Sequence, residues 1–347
     1  MPSAYRKPRL LIAYNASGSF IDPADADRIS EDAVQDEVAS VLQAAERLGY
    51  PAEMLAVSDI AEDIKRIGDF RPDVVVNLCE GFRGVARDEM HMAGLWELMR
   101  LPYTGNSALS LGLSQDKVLC KRLFESRKIH TPPYQVFRDV PHSTYLKFPV
   151  IAKPAMEDAS LGVTQQSVTD DFGTLQSIVR RLIDKYRQPV LVEQYIAGRE
   201  LNVSILDNPE PGVLAVGEID FSRIPEGYQA ITSYEAKWMP DHPLYARTPA
   251  LYPARIDLDL RERLCDAALQ VYRLLGGRDY GRVDTRVDAA GRIYVLEYNP
   301  NPDISMEAGY VKALQAAGLS YGTFVEILIQ NALKRSGNGQ HQGDSAR

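Results

Sequence analysis

Tyr280-Gly281-Arg282-Val283-Asp284-Thr285-Arg286-Val287, Asp288-Ala289-Ala290-Gly291 and Arg292-Ile293-Tyr294-Val295-Leu296-Glu297 read as strand, turn and return strand, a β-hairpin. Alternate side chains of a strand share a face, so Arg282 stands beside Asp284, and Glu297 beside Asn299, on one surface. Two carboxylates and an amide oxygen suit a hard cation such as Mg²⁺, which completes its shell with phosphate oxygens and water. The adjacent arginine points to an anionic ligand that gains charge during reaction. The plain alternative is a surface hairpin with ordinary ion pairs. Pro300-Asn301-Pro302-Asp303 follows and forces a fixed turn away from the hairpin.

Around this hairpin, 347 residues give material for two or three domains. Apolar content of 45% and charged content of 25% are those of an ordinary globular chain. A net charge of −8 argues against a general nucleic-acid or anionic-membrane binder, since both need a positive field. Cys79, Cys120 and Cys265 are odd in number and far apart, which fits neither a disulfide framework nor a zinc motif. The apolar run Leu10-Leu11-Ile12-Ala13 is too short for a secretory signal, and no stretch is long and apolar enough for a membrane span. A cytoplasmic protein is expected.

Toward the N-terminus, Arg9 to Asn15, Ala52 to Val57 and Asp73 to Leu78 read as strands. Helical patterns at Val34 to Leu48 and Ile60 to Ile67 separate them. This alternation predicts a parallel α/β layer, with ligand-facing loops at Asn15 to Ser19 and Asn77 to Glu89. A second unit contains a helix at Asp116 to Arg127, strands at Val136-Phe137, Val150 to Lys153 and Val190 to Tyr195, and a helix at Asp171 to Tyr186. A third contains strands at Leu201 to Leu206 and Leu214 to Phe221, the hairpin, and helices at Leu260 to Leu275 and Tyr321 to Lys334. The expected divisions are 1–107, 108–196 and 197–335, with a frayed polar tail at 336–347.

Two further segments suit a nucleotide. Lys153 ends an apolar strand just before Pro154 and a small-residue loop, where a lysine can hold a phosphate with loop N–H groups. A lysine snorkelling at a strand end reads the same way. Glu193 and Glu200 flank a turn and could accept hydrogen bonds from an adenine amino group and ribose hydroxyls; a solvated turn is the alternative.

In their order, these parts resemble the ATP-grasp carboxylate-amine ligases, and within them the D-alanine-D-alanine ligase-like branch. The resemblance spans about Asn77 to Leu333. It rests on Leu101-Pro102-Tyr103-Thr104-Gly105, Asp116-Lys117, Lys153-Pro154, Glu193 with Gly198-Arg199-Glu200, Tyr234-Glu235-Ala236-Lys237, Asp279-Tyr280-x-Arg282-Val283-Asp284, Glu297-x-Asn299 and Ala317-Gly318-Leu319-Ser320-Tyr321. It implies an ATP-grasp fold: α/β, α+β in parts, with an N-terminal parallel domain and two α+β domains enclosing ATP. Lys117 and Lys153 would contact ATP phosphates, Glu193 and the Ile196 backbone the adenine, Glu200 the ribose, and Lys237 the terminal phosphate. Asp284, Glu297 and Asn299 would bind two Mg²⁺ ions, with Mn²⁺ as an alternative, and Arg282 would stabilise an oxyanion. The implied reaction joins an amino acid or related carboxylate to an amine through an acyl phosphate. Small molecules are the expected partners, and family members are often dimers through the N-terminal unit.

Where the family has a Gly-Gly-x-Ser-x-Glu loop, this chain has Asn15-Ala16-Ser17-Gly18-Ser19-Phe20, without the glutamate. Ala159-Ser160 stands for a serine pair, Trp238 for a tyrosine, and Ala308-Gly309 for a Ser-Leu pair that holds a substrate carboxylate. These departures predict substrate pockets different from those of D-alanine-D-alanine ligase. An authentic D-alanine-D-alanine ligase and a non-catalytic ATP sensor are the competing readings. Arg87, Asp88 and Glu89 are candidate replacement anchors, equally readable as a solvated charge cluster.

Overall fold

The computed structural model describes residues 6–16, 34–239 and 241–343. Of the expected substrate loop at Asn15 to Ser19, the part from Ser17 onward lies outside the described residues. The first layer holds β1 (Leu10–Asn15), α1 (Val34–Arg47), β2 (Ala52–Val57), α2 (Ile60–Phe70) and β3 (Val74–Leu78). Its strands run parallel in the order β2-β1-β3. All of β3 is buried, as a strand covered on both faces should be. Asp59 caps α2 by accepting from the N–H groups of Ala61 and Glu62. Next come α3 (Glu89–Leu98) and α4 (Ala108–Gln115), which the sequence reading did not delimit.

The second layer comprises α5 (Lys117–Ser126), β4 (Tyr134–Phe137), β5 (Val150–Pro154), β6 (Val168–Thr169), α6 (Phe172–Tyr186) and β7 (Val190–Gln194). The strands form an antiparallel sheet, β4-β7-β5-β6. Leu175, Ile178, Val179 and Leu182 recur at helical spacing along α6 and pack on Val150, Ala152, Val190 and Val192. This burial leaves the opposite face of the sheet available to a ligand.

The third layer contains β8 (Arg199–Asp207), β9 (Pro211–Ile219), α7 (Tyr234–Trp238), β10 (Ala250–Leu251), α8 (Leu258–Leu274), β11 (Tyr280–Val287), β12 (Ile293–Asn299), α9 (Gly309–Ala316) and α10 (Tyr321–Gly343). The antiparallel order is β10-β9-β8-β11-β12. Period-two alternation divides its two faces. Leu201, Val203, Ile205 and Val283 pack with Leu264, Ala268 and Val271 of α8. The intervening Glu200, Asn202, Arg282 and Asp284 line the cleft instead.

One correction concerns the C-terminus: the helix expected to stop near Lys334, with a frayed tail from Ser336, continues to Gly343. Extending an established helix fixes one residue per added hydrogen bond, so polar residues can follow a well-packed start. That start packs on the first layer through Phe324, Val325, Leu328 and Ile329. Residues 344–347 lie outside the described residues.

Asp279 joins three parts of the chain. Its side chain is fully buried, accepts from the Gly105 N–H at 2.8 Å and pairs with Arg335 at 2.5 Å. Its own N–H donates to Asp207 at 2.8 Å. Its φ of 63° is a conformation that Asp tolerates better than most side chains. Asp279→Ala is therefore expected to cost about 3 kcal/mol, because Arg335 and the Gly105 N–H lose their acceptor. Chemical denaturation checks this by a lowered midpoint.

Candidate active site

The hairpin registers Arg282 against Asn299 and Asp284 against Glu297. A bulge follows, with Thr285 opposite Val295, so Leu296 is the extra residue. Without it Glu297 and Val295 would share a face; the bulge puts Val295 in the core and Glu297 on the cleft wall. The turn is closed by Asp288, which accepts from the N–H groups of Ala290 at 2.9 Å and Arg292 at 3.0 Å.

Asp284 is the centre of the polar surface. It receives both arms of Arg282 at 2.7 Å, Asn299 Nδ2 at 2.8 Å and Asn202 Nδ2 at 2.5 Å. Burial works against the Arg282 charge, but Asp284 more than compensates and pushes its pKa further up. Burial alone would raise the Glu297 pKa; Lys117, Lys153 and Arg282 outweigh it and hold the carboxyl down to about 2. Glu297 is thus ionised at neutral pH. Among the described residues no three His, Cys, Asp or Glu side chains form a self-sufficient metal cage. Two carboxylates and two asparagine amides, with Asn202 Oδ1 buried and lacking a hydrogen-bond partner, form a donor set that fits Mg²⁺ sharing its shell with phosphate and water.

Above the hairpin, Lys117 Nζ contacts Asp158 at 2.8 Å and Glu297 at 3.5 Å. Lys153 Nζ meets Glu193 at 2.5 Å, and the fully buried Lys121 pairs with the same carboxylate. Burial would raise the Glu193 pKa, but the two lysines lower it and keep the group charged. Glu200 accepts from Thr232 at 2.6 Å and Arg286 at 2.8 Å. Arg286 also lies over the rings of Tyr195, at 5.6 Å, and Phe221, at 5.3 Å.

Short helix α7 is latched to the small-residue loop after β5. Trp238 Nε1 donates to the Ala159 carbonyl at 2.8 Å, Ser160 Oγ to the Thr232 carbonyl at 3.0 Å, and the Tyr234 N–H to the Val163 carbonyl at 2.7 Å. Ala159 and Ser160 both have left-handed φ angles, 53° and 63°. Lys237 is carried on this helix, with its Nζ 4.7 Å from the Trp238 ring centre.

Lys117, Lys153, Glu193, Ile196, Glu200, Lys237, Arg282, Asp284, Glu297 and Asn299 all line a single cleft of about 730 Å³, within the usual size range of small-molecule sites. Of Arg87, Asp88 and Glu89, only Glu89 turns inward to a neighbouring cavity; Arg87 is exposed and Asp88 lies 3.8 Å from His91. Sequence reasoning missed Lys121, Asn202, Tyr252 and Arg286. Lys121 stands one helical turn after Lys117, and Arg286 two residues after Asp284, so their spacing carried a usable signal. Tyr252 had no such signal. Its ring occupies the places where a Cβ on Gly217 or Gly309 would lie, at 2.3 and 3.0 Å from the nearest ring or hydroxyl atom.

The family model described as D-ala D-ala ligase C-terminus matches residues 121–330. The uncharacterized protein y4sG of Sinorhizobium fredii is 36% identical over 268 residues, covering 77% of this chain and 76% of its own. A D-alanine--D-alanine ligase of Gloeobacter violaceus is 32% identical over 302 residues, covering 85% and 92%. The crystal structure of the Bacillus anthracis D-alanine--D-alanine ligase complexed with ATP superposes with a TM-score of 0.74 at 20% identity, over 96% of this chain and 99% of that one. At that identity the likeness is one of fold. The class is therefore that of the ATP-grasp ligases, enzymes that form a carbon–nitrogen bond. Within it, the chain belongs to the D-alanine–D-alanine ligase family.

Proposed function

We propose that this protein uses ATP to phosphorylate an amino acid or related carboxylate and then couples the acyl group to an amine, releasing ADP and phosphate. The observation that carries the reading is the convergence of ten nucleotide, metal and anion-binding candidates on one cleft. Lys117 and Lys153 hold the phosphates, Glu193 and the Ile196 backbone the adenine, and Glu200 the ribose. Asp284, Glu297 and Asn299 hold Mg²⁺, which when bound supplies Lewis-acid neutralisation of phosphate charge. Arg282, fixed by its bidentate pair with Asp284, faces the oxygen that gains charge as the amine attacks. The latched α7 keeps water from the reactive acyl group and brings Lys237 to the terminal phosphate. A cytoplasmic site of action, where ATP and Mg²⁺ are plentiful, accompanies this reading.

The amino-acid pockets support substrates other than two D-alanines. At the head of α9, Ala308 makes no side-chain cap and the Tyr252 hydroxyl fills the space beside Gly309. In the family, a serine hydroxyl and its neighbour bind a carboxylate at these positions. A site lacking that donor loses affinity for a ligand that requires it. Phosphate release with ATP, Mg²⁺ and an amino-acid panel, with products read by mass, tests the function. The proposal requires substrate-stimulated release and a condensed product; a chain that binds ATP but releases no phosphate with any amino acid is a sensor. Efficient formation of the dipeptide from D-alanine alone would instead establish the cell-wall ligase.

Lys237 gives a pH prediction. Burial lowers its pKa, Arg282 adds to the effect, and Asp303, Glu80 and Asp284 oppose it. As pH rises through that lowered value the ammonium loses its charge and its hold on phosphate. The kcat/KM for ATP is therefore expected to fall at a pH below that of an ordinary lysine, about 10.4. Lys237→Arg should move this alkaline limb upward.

A further inference from the structure

A second cavity, of about 360 Å³, adjoins the ATP cleft and is bordered at their junction by Lys237, Arg282 and Asn299. Its lining is rich in acids. Glu37 from α1, Glu80 after β3, Glu89 at the start of α3, and Asp303 after the hairpin all line it. These four carboxylates come from separate stretches of chain, so no single turn accounts for their gathering.

Glu37 and Glu89 are 3% and 7% exposed. Glu37 accepts the Ile304 N–H at 3.2 Å. Glu89 Oε1 is buried in the cavity wall without a hydrogen-bond partner. Among the described residues, no lysine or arginine forms an ion pair with Glu37 or Glu89. Burial, then neighbouring negative charge, raises both pKa values: Glu80 and Asp303 act on Glu37, and Asp158 and Glu80 on Glu89. Both groups are thus biased toward the neutral acid, and a cationic ligand group that donates hydrogen bonds favours the carboxylate form instead. A single α-ammonium offsets one negative charge. Glu37, Glu89 and Asp303 together offer acceptors for a second cationic group.

Resting on the ligase reading, we infer that this cavity selects an amino-acid substrate with a cationic side chain, an ammonium or guanidinium held by Glu37, Glu89 and Asp303. The polarity of the cavity sets the orientation. The substrate carboxylate lies toward Lys237 and Arg282, where the chemistry occurs, and the cationic end lies toward the first layer. Neutral side chains of equal length leave the buried acids unpaired.

Binding calorimetry tests this independently of turnover. With Mg²⁺ and a non-hydrolysable ATP analogue, lysine and arginine are compared with norleucine and citrulline, in both enantiomers. The charged member of each pair is expected to bind at least about tenfold tighter in at least one enantiomeric series. Glu89→Gln, and separately Glu37→Gln, should erase most of that ratio while ATP-analogue affinity, which reports folding, stays unchanged. Equal or tighter binding of the neutral analogues would overturn the inference, as would an undiminished ratio in both variants. A charged preference without phosphate release from any substrate would uphold the pocket and refute the ligase reading.

Discussion

Asp284→Ala is expected to leave a folded protein whose turnover falls by at least about 10³-fold. Four hydrogen bonds from Arg282, Asn202 and Asn299 converge on this carboxylate. Removing it withdraws a proposed Mg²⁺ ligand and frees Arg282 from its fixed direction. The loss should therefore appear in kcat as well as in KM for ATP. Excess Mg²⁺ should not restore the rate, because the arginine stays misplaced. The bulk of the fold should persist, since the hydrophobic contacts of β11 with α8 are made by the opposite face, through Val283. Circular dichroism and steady-state kinetics measured together decide the matter. A variant retaining a tenth of the activity would remove Asp284 from the site.

Arg282→Lys should lower kcat by about 10²-fold to 10³-fold, although it conserves charge. The guanidinium uses two nitrogens, each 2.7 Å from an Asp284 oxygen, and keeps its remaining donors for the cleft. A lysine is a point charge without that planar fork, so it cannot hold Asp284 bidentately and present a donor in the same direction. Nucleotide affinity should change little if Arg282 acts mainly on charge that develops during amide formation. Loss of ATP binding with unchanged kcat would show that it acts on the nucleotide instead.

Much of this arrangement could be read from sequence because it depends on local periodicity. Period-two alternation placed Arg282 with Asp284, and Glu297 with Asn299, and the Asp288–Gly291 turn joined them as expected. The parallel direction of the first three strands followed from their alternation with amphipathic helices. The bulge at Leu296 was not legible, since only the partner strand shows which residue is extra. Nor were α3 and α4, whose apolar residues are not confined to one face, or α9, which is only eight residues long. Their ends are set by packing against other layers, as with Tyr310 of α9, which meets Tyr280 at 5.6 Å.

At the site, motifs in sequence order identified residues that meet only in the folded chain. Residues recruited singly were harder to find. Tyr252 reaches the head of α9 because Gly217 and Gly309 leave room for its ring, a relation between three distant positions. Glu37, Glu80, Glu89 and Asp303 likewise have no common motif. The smaller cavity is built largely from such contacts, whereas much of the main cleft is built from contiguous motifs.

The most direct test is the fate of carboxylate oxygen. An accepted amino acid labelled with ¹⁸O in its carboxylate is incubated with ATP, Mg²⁺ and the amine, and the released phosphate is analysed by mass. Attack of the carboxylate on the terminal phosphate predicts one labelled oxygen in each phosphate formed, together with a condensed product. Unlabelled phosphate accompanying that product would contradict the account.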